Sequence, residues 1–240
     1  MVKTKLGQHF LVDKNIVEKE LAHANLNADD IVLEIGPGKG VLTKELAKQC
    51  KQVIAVELDT SLSLVLKRTL PKNVLVINED IMKLDWKSLP KFTKVVANLP
   101  FQISSPFTFK LLTFDFEKAV LIYQKEFAQR MIAKPGSKHY SRLSVGISYN
   151  ASCQLITHIP PSSFSPHPKV YSSLVELFPY SIPPFDVNDE QFFFELTHLL
   201  FSHRRKQIKT IIKNVFSKSI AEQISYGSKR VEVLSPKQIA

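Results

Sequence analysis

Short apolar runs alternate with segments of helical periodicity along the first half of the chain. The runs Ile31–Ile35, Gln52–Glu57, Val74–Ile77 and Lys94–Ala97 each lead into glycine or polar residues. Between them, apolar side chains recur every three or four residues, which predicts helices. These helices cover residues 12–25, 41–47 and 61–69. Four apolar strands that alternate with helices predict a parallel sheet of βαβ units, buried on both faces.

Three further apolar runs extend this sheet. They cover Ala119–Tyr123, Leu143–Tyr149 and Ser173–Leu177, which brings the predicted strands to seven. The segment Ile159–Lys169 contains four prolines, which remove backbone donors, and it is predicted to be an extended irregular loop. The pattern therefore indicates the α/β class.

The pattern changes after Pro183-Pro184, where residues 192–219 are predicted to be helical. One face of this helical segment is apolar and is predicted to be buried: Ile208, Ile211, Ile212, Val215 and Phe216. Three lysines fall on the other side: Lys206, Lys209 and Lys213. We therefore predict two domains, one over residues 1–180 with an N-terminal arm at 1–11, and a small basic helical domain at 181–240.

Charge and composition narrow the choice of partner. The net charge is +10, which favours a polyanionic partner such as RNA, DNA or anionic lipid. Because the composition is that of an ordinary globular protein, we favour nucleic acid over lipid. No apolar run approaches the ~20 residues of a membrane span, and no signal-type block follows Met1, so a cytoplasmic protein is predicted. Cys50 and Cys153 are too few for a disulfide framework or a metal site.

Candidate binding residues collect where the first four predicted strands end. Glycines follow the first strand, and Glu57, Asp80 and Asn98 follow the next three. Ligands of open parallel sheets lie beyond the carboxyl ends of the strands, so these groups are predicted to share one site. The glycines allow close approach of the backbone, and Glu57 suits the hydroxyls of a ribose. Solvated acids at strand ends are the alternative interpretation.

The glycine loop indicates which cofactor the site takes. A dinucleotide fingerprint needs a third glycine where this chain has Val41, and the loop instead has glycine at alternate positions 36, 38 and 40. Glu34 precedes the loop, and an acid there suits a cationic sulfonium better than a pyrophosphate. Asp80 is placed to accept a hydrogen bond from the exocyclic amine of an adenine. We therefore favour S-adenosylmethionine over NAD.

The turn Asn98-Leu99-Pro100-Phe101 is the candidate reaction site. An aromatic exocyclic amine is a poor nucleophile because its lone pair is delocalised into the ring. The Asn98 side-chain oxygen and a main-chain carbonyl, that of Leu99, are predicted to hold its N–H bonds, while Pro100 stiffens the turn. Phe101 offers a stacking face, worth about 1–3 kcal/mol per base. The pattern indicates methyl transfer to a base that is flipped out of its stack or lies in a loop.

Four motifs together resemble a known family. They are Gly7-Gln8-His9-Phe10-Leu11, the segment from Glu34 to Gly40, Asn98-Leu99-Pro100-Phe101, and Phe164-Ser165-Pro166-His167-Pro168-Lys169-Val170. Their order and spacing resemble those of the small-subunit ribosomal RNA adenine dimethyltransferases, most closely the archaeal and eukaryotic branch. The resemblance implies a Rossmann-like, seven-stranded class I methyltransferase domain. It also implies two N6-dimethyladenosines, made with S-adenosylmethionine on neighbouring adenines of a hairpin loop near the 3′ end of that RNA.

The resemblance also implies the site residues and the partner. The implied cofactor contacts are His9, Leu11, Gly36, Glu57, Asp80 and Asn98, with Gln8 close by; Glu34, Gly38 and Gly40 of the loop and the neighbours Leu58 and Ile81 complete the predicted set. Phe101 and Phe164 are implied to sandwich the target adenine, and no metal is expected. The resemblance implies an enzyme that acts as a monomer. Its implied partner is its substrate, a pre-30S-like small subunit, and no membrane partner is implied.

Two alternatives remain open from the sequence. The related enzymes that methylate one adenine of large-subunit RNA share the sheet and the catalytic turn. A ribosome-assembly factor that keeps the fold for RNA binding, with incidental catalysis, is the other. The chain also departs from its relatives at Phe101, where the family usually has tyrosine; stacking survives this change, but a role for the hydroxyl does not.

Overall fold

The main sheet has seven strands in the computed structural model, which describes residues 8–240. The strands are β2 (Ile31–Ile35), β3 (Gln52–Glu57), β4 (Val74–Asn78), β5 (Lys94–Asn98), β6 (Lys118–Gln124), β7 (Ala151–Ile159) and β9 (Ser172–Pro179). Their order across the sheet is β4-β3-β2-β5-β6-β9-β7. A separate antiparallel pair joins β1 (Phe10–Leu11) to β8 (Phe164–Ser165). The α/β class and the count of seven strands are confirmed.

Ten α-helices lie along the described residues. They are α1 (Lys14–Ala24), α2 (Val41–Ala47), α3 (Thr60–Thr69), α4 (Ser104–Leu111), α5 (Lys125–Met131), α6 (Arg142–Asn150), α7 (Glu190–Ser202), α8 (Ile208–Val215), α9 (Lys218–Gln223) and α10 (Pro236–Ile239). Asp13 caps the start of α1, since its carboxylate accepts a hydrogen bond from the Asn15 amide at 3.0 Å. No helix within residues 8–240 is long and apolar enough to cross a bilayer.

The strand directions follow the prediction for the four strands to which it applied. Strands β2 to β6 pair in parallel, as the alternation of strands and helices predicted. Strand β9 runs antiparallel to β6, so the whole sheet is mixed. The parallel prediction concerned the four strands that alternate with helices, β2 to β5, and it is confirmed for them. The central strands are buried almost throughout, because helices cover both faces. The carboxyl ends of β2 to β5 consequently meet at one edge.

The segment predicted as the sixth strand is a helix. Residues 143–149 alternate apolar and small polar side chains, which is typical of a strand, yet they lie within α6. All but Ser148 are buried, so the helix has no exposed face to impose a period of 3.6. Ser141 and Ser144 form a capping box at its start. The actual strand, β7, follows directly at Ala151.

Two compact units make up the described chain. One contains the residues up to Ala128 together with Cys153–Pro179, and the other contains Gln129–Ser152 together with Tyr180–Ala240. The second unit has its own core, built largely from aromatic and branched side chains: Tyr140, Tyr149, Phe193, Leu200, Ile208, Ile211, Ile212 and Val231. The second unit thus contains residues 129–152 as well as the stretch predicted as the small domain, 181–240.

The predicted helical segment of the second unit is divided. Residues 192–219 fall in α7, α8 and α9 rather than in one helix. The buried face is confirmed for Ile208, Ile211 and Ile212 but was wrong for Val215 and Phe216, which are 53% and 47% exposed. The helix α8 ends at Val215, so the helical period does not continue through Phe216. Lys206, Lys209 and Lys213 are exposed, as predicted.

Candidate functional site

One cavity of about 550 Å³ opens at the carboxyl ends of β2, β3, β4 and β5, within the first compact unit. It gathers fifteen of the sixteen predicted site residues: Gln8, His9, Leu11, Glu34, Gly36, Gly38, Glu57, Leu58, Asp80, Ile81, Asn98, Leu99, Pro100, Phe101 and Phe164. Its size is that of a small-molecule site. The remaining part of the predicted arm, residues 1–7, lies outside the described residues.

The glycine loop between β2 and α2 forms one wall. Gly36 and Gly38 have φ of +66° and +58°, a left-handed backbone that favours glycine. A Cβ on Gly38 would lie 2.8 Å from the Phe10 ring, so the loop and the N-terminal arm touch there. Gly40 does not line the cavity, and a Cβ there would meet Leu66 at 2.8 Å. The absence of a side chain at Gly40 allows α2 to begin close to α3.

Glu57 ties the glycine loop to the end of β3. Its carboxylate accepts hydrogen bonds from the Gly38 amide at 3.0 Å and the Asp59 amide at 2.8 Å. Burial raises the pKa of Glu57, while these amides oppose the rise. Asn78 supports the same corner by donating to the Glu57 carbonyl at 2.9 Å. The Glu57 carboxylate is therefore fixed in position at the cavity wall.

Glu34 lies at the end of β2 and is only 2% exposed. Burial raises the pKa of Glu34 to about 8; the Thr43 hydroxyl opposes the rise, and the Glu57 carboxylate adds to it. The Thr43 hydroxyl is near Glu34 but makes no hydrogen bond to any of residues 8–240. The Glu34 Oε2 atom has no hydrogen-bond partner among residues 8–240. A cationic ligand in the cavity would thus meet a carboxyl group that it can ionise.

Asp80 begins a tight loop after β4. Its Oδ1 accepts from the Met82 amide at 2.9 Å, and its carbonyl accepts from the amides of Lys83 and Leu84. Its Oδ2 makes no hydrogen bond to another residue of the described chain. That oxygen is consequently available to a ligand in the cavity, as predicted for the amine of an adenine.

Lys110, on α4, holds this loop in place, a contact that the sequence did not indicate. Its ammonium donates to the carbonyls of Ile81, Met82 and Leu84 at 3.3, 3.3 and 3.1 Å. It also lies 4.9 Å from the centre of the Trp86 ring, while the Trp86 indole donates to the Ile81 carbonyl at 2.7 Å. One lysine thereby links the Asp80 loop to the helix that follows the Asn98 turn.

We expect Lys110→Met to weaken S-adenosylmethionine binding about tenfold. Hydrogen bonds to a charged donor are worth about 1.5–3 kcal/mol, and a loss of about 1.4 kcal/mol corresponds to a factor of ten. Isothermal calorimetry of cofactor binding measures the effect. The matched control is Lys87→Met, since Lys87 is an exposed lysine just beyond the same loop. Equal affinity in the two variants would contradict a positioning role for Lys110.

The Asn98 turn forms the opposite wall. Asn98 is the last residue of β5 and pairs with Ile122 of β6, while Leu99 is buried. No side-chain hydrogen bond joins Asn98 to another residue within 8–240, and the Pro100 carbonyl is used by the Ile103 amide at 3.1 Å. The Asn98 side-chain oxygen and the Leu99 carbonyl thus remain the candidate acceptors. The Phe101 ring is half-buried at the cavity rim.

Phe164 reaches the cavity from the proline-rich loop. The ring is 1% exposed and packs in the core of this unit with Leu11, Ile159 and Leu174. The Ser165-Pro166 bond that follows is cis. Phe164 and Phe101 line the same cavity, but Phe164 is covered and Phe101 is accessible. The predicted sandwich of a base between the two rings stays a prediction.

The N-terminal arm connects both parts of the cavity. Phe10 lies against Gly38, and the Lys39 ammonium is 5.2 Å from the centre of its ring. His9 lies beside Phe101, with ring centroids 6.1 Å apart, and bonds through Nδ1 to the Pro166 carbonyl at 2.7 Å. The pairing of β1 with β8 holds the arm there. Phe10 and Lys39 were not among the predicted residues, although both lie inside the quoted motifs.

The cavity fits the predicted S-adenosylmethionine by its chemistry. The left-handed glycines expose backbone to the cavity, Glu57 is a fixed carboxylate, and Glu34 offers an unpartnered carboxyl to a cation. These groups, with Asp80, would hold the cofactor. Within residues 8–240, no three His, Cys, Asp or Glu side chains are grouped as a metal site.

Comparison with known proteins gives consistent matches. The family model described as ribosomal RNA adenine dimethylase matches residues 1–240. A relative from Methanococcus aeolicus, named a "probable ribosomal RNA small subunit methyltransferase A", is 53% identical over 207 residues, which is 85% of this chain and 76% of the relative. A Methanosarcina acetivorans relative of the same name is 43% identical and covers 97% of this chain and 89% of its own. The predicted similarity to the archaeal branch is confirmed.

A solved structure shares the whole fold. The dimethyladenosine transferase from Plasmodium falciparum superposes with a TM-score of 0.83 at 30% identity, covering 96% of this chain and 94% of that one. The match to the family model and the identity to the archaeal relatives are each sufficient to assign the family. The chain belongs to the ribosomal RNA adenine dimethylase family.

Proposed function

We propose that this protein dimethylates the N6 amines of two adjacent adenines in the 3′-terminal hairpin loop of small-subunit ribosomal RNA, with S-adenosylmethionine as the methyl donor. The observation that carries the proposal is the shared cavity: the Asn98–Phe101 turn opens into the same space as the glycine loop and the acids Glu57 and Asp80. A methyl donor and an acceptor amine can meet only where their sites join. Family membership supports the choice of RNA and base.

The Asn98 turn is the part of the chain that activates the amine. The Asn98 Oδ1 and the Leu99 carbonyl each accept an N–H of the adenine N6 group, which turns the nitrogen lone pair out of the ring plane. Pro100 limits the motion of the turn, so the two acceptors keep their spacing. Acceptors that fit the tetrahedral nitrogen better than the planar one stabilise the transition state rather than the bound substrate.

The cofactor side of the cavity is formed by Glu34, the glycines, Glu57 and Asp80. When bound, S-adenosylmethionine supplies the methyl group, whose bond to sulfur breaks as the nitrogen lone pair forms the new C–N bond, and the nitrogen then loses one proton to solvent. The Glu34 carboxylate attracts the positive sulfonium. The buried walls around it exclude water, which strengthens this attraction.

Phe101 positions the base. Its ring stands at the cavity rim beside His9, where a flipped adenine can stack on it. A base in a continuous helix cannot reach this depth, so the target lies in a loop or is turned out of its stack. We also propose that the protein acts in the cytoplasm as a monomer on a pre-30S-like particle, since the net charge of +10 suits a large RNA surface.

The test is methyl transfer to purified ribosomal subunits with labelled cofactor. Small subunits that lack the modification should accept about four methyl groups each, as two dimethyladenosines identified after digestion to nucleosides. Mature small subunits and large subunits serve as controls and should accept none. Label in large subunits alone would refute the proposed substrate and leave the proposed chemistry intact.

Large-subunit RNA is the second candidate substrate. The 23S rRNA methyltransferase ErmE superposes with a TM-score of 0.70 at 25% identity and covers 96% of this chain. This chain is similar in fold to both ErmE and the Plasmodium dimethyladenosine transferase, so the fold alone does not select the RNA. The higher TM-score of 0.83 and the names of the archaeal relatives favour the small subunit. A ribosome-assembly factor with incidental catalysis is disfavoured, because the residues that catalysis would need all line the cavity: Gly36, Gly38, Glu57, Asp80 and Asn98.

The exposed lysines of the second unit are the proposed RNA contacts. We expect Lys206→Glu, Lys209→Glu and Lys213→Glu together to weaken subunit binding and to reduce its salt dependence, because each lost phosphate contact lowers the slope of log K against log salt by about 0.7–0.9. Binding titrations at several salt concentrations measure the slope. The matched control reverses Lys51, Lys67 and Lys72, which are exposed in the first unit near the amino ends of its strands. An equal slope in both triple variants would contradict the proposal that Lys206, Lys209 and Lys213 contact RNA.

A further inference from the structure

Tyr171 is an exposed aromatic residue at the same edge of the sheet as the cavity. It directly precedes β9 in the first compact unit, and it is 50% exposed. Asn98 of β5 pairs with Ile122 of β6, and Ile122 pairs with Leu174 of β9. Because β9 runs antiparallel to β6, its amino end lies beside the carboxyl ends of the parallel strands. Tyr171 therefore lies just beyond the edge at which the Asn98 turn is found.

The strand register gives the approximate distance of Tyr171 from the reaction site. Tyr171 lies two strands across from Asn98, and it is three residues beyond Leu174, which is in line with Asn98. At about 4.8 Å per strand and about 3.3 Å per residue, Tyr171 is about 10 Å sideways and about 10 Å outward from Asn98. The ring is thus too far away to act on the target amine. A nucleotide that flanks the target adenine is the part of the RNA that comes near it.

Lys125 places a positive charge beside the Tyr171 ring. Its ammonium lies 5.6 Å from the centre of that ring. Its main-chain amide donates to the Tyr171 carbonyl at 2.9 Å, which fixes the two residues relative to each other. Within residues 8–240, no carboxylate forms an ion pair with Lys125. The charge is therefore available to a phosphate.

The other end of β9 carries a lysine–aromatic pair of a different kind. The Lys118 ammonium lies 4.9 Å from the centre of the Phe178 ring. That ammonium is already paired, because it donates to the Glu176 carboxylate at 2.7 Å and to the His23 carbonyl. Of the two pairs, the one at the cavity edge leaves its lysine without a carboxylate. The pair at the opposite end serves the structure and provides a matched control.

The segment that precedes Tyr171 joins it to the cavity. Phe164 lines the cavity, and the His167 Nδ1 atom donates to the Phe164 carbonyl at 2.6 Å. Pro168 is buried, whereas Lys169 is exposed and adds a second positive charge. Residues 165–171 contain no acid. One short basic segment thus leads from the cavity wall to the exposed ring.

We propose that Tyr171 and Lys125 form a second RNA subsite, which holds one adenine of the target pair while the other adenine is in the cavity. The Tyr171 ring stacks on the held base, and the Lys125 ammonium binds its phosphate. Flipping the target adenine removes the stacking partner of its neighbour, so the neighbour exposes a face. Aromatic rings with adjacent cations bind such unstacked bases. This subsite rests on the proposed function, since it takes the substrate to be RNA with two adjacent adenines.

Tyr171→Ala should raise the KM for unmodified small subunits about tenfold, a loss within the range expected when one base loses its stacking partner. The kcat and the affinity for S-adenosylmethionine should stay within a few fold, because the ring is remote from both reacting groups. Tyr171→Phe keeps the flat ring and should match the wild type. Phe178→Ala removes the ring of the opposite pair and should also match it. Steady-state methylation with subunit concentration varied measures these values.

Lys125→Met should change the salt dependence of subunit binding. Loss of one phosphate contact lowers the slope of log K against log salt by about 0.7–0.9. Tyr171→Ala should leave this slope unchanged, since a stacking ring carries no charge. The control is Lys51→Met, an exposed lysine near the amino ends of the strands, which should keep the wild-type slope. A slope equal to that of the wild type in Lys125→Met would remove Lys125 from the subsite.

Removal of the base tests the stacking directly. Small subunits are reconstituted with RNA in which one adenine of the pair is an abasic site, so that the remaining adenine accepts the methyl groups. Two such substrates cover the two positions. The KM penalty of Tyr171→Ala should disappear with at least one of them, because no base is left to stack.

The outcomes separate the second subsite from the proposed function. A penalty that persists with both abasic substrates, or a KM of Tyr171→Ala equal to that of the wild type on intact subunits, would overturn the subsite. Methyl transfer to the small subunit would then remain in place. Failure of the wild-type protein to methylate unmodified small subunits would instead refute the proposed function, and the subsite with it.

Discussion

Asn98→Ala is expected to lower methyl-transfer turnover by about 10²–10³-fold while S-adenosylmethionine affinity stays within a few fold. The amide is unpaired within the described chain and stands at the end of β5, where its oxygen can accept an N–H of the target amine. Loss of one preorganised group that acts on the transition state costs a factor of this size in other enzymes. The proposed cofactor contacts of Glu57 and Asp80 are left intact.

Single-turnover kinetics with subunits lacking the modification measure this effect, together with cofactor titration of the same variant. The internal control is the cofactor affinity, because a misfolded cavity would lose both properties. Turnover equal to that of the wild type would remove Asn98 from the mechanism. A parallel loss of affinity and turnover would indicate that Asn98 holds the cofactor and does not activate the amine.

The two cavity phenylalanines are expected to respond in opposite ways to substitution by alanine. Phe164 is 1% exposed, so Phe164→Ala should lower the free energy of unfolding by about 3–5 kcal/mol. Phe101 is half-buried at the rim, so Phe101→Ala should leave stability nearly unchanged. It should instead lower turnover on RNA, since stacking worth about 1–3 kcal/mol corresponds to roughly a fivefold to 150-fold factor.

Chemical denaturation and RNA methylation of both variants check this pair. Phe178→Ala is the matched control for Phe101, because Phe178 is an aromatic residue of β9 that is 39% exposed and does not line the cavity. The control should match the wild type in turnover. A stable Phe164→Ala protein with greatly reduced turnover would instead support the predicted sandwich of the base between the two rings.

The sequence predicts the site better than it predicts the whole fold, and the reason is geometric. Strands β2 to β5 have short apolar runs whose ends are marked by Gly36, Glu57, Asn78 and Asn98, and parallel strands bring such ends to one edge. Residues distant in the chain are thus placed together by topology alone. Gly40 was the exception, because it does not line the cavity and instead lies where a Cβ would meet Leu66 at 2.8 Å.

Local pattern fails where burial is complete or where the contact is long-range. Residues 143–149 lack a polar face, so their alternation was interpreted as a strand although they form α6. The antiparallel direction of β9 depends on its partner β6, which sequence periodicity does not encode. Lys110 was missed for a similar reason, since its partners are main-chain carbonyls some 26–29 residues earlier, and carbonyls have no sequence signature.

The pairing of β1 with β8 affects how substrate kinetics of this protein should be interpreted. The arm that covers Gly38 is bonded to the strand that carries Phe164, so one short segment borders both halves of the cavity. A substitution at Phe10 or His9 would therefore be expected to alter the Michaelis constants for the methyl donor and for RNA together. Steady-state data on such variants should be collected with both concentrations varied, because a series in one substrate would assign a shared effect to one binding step.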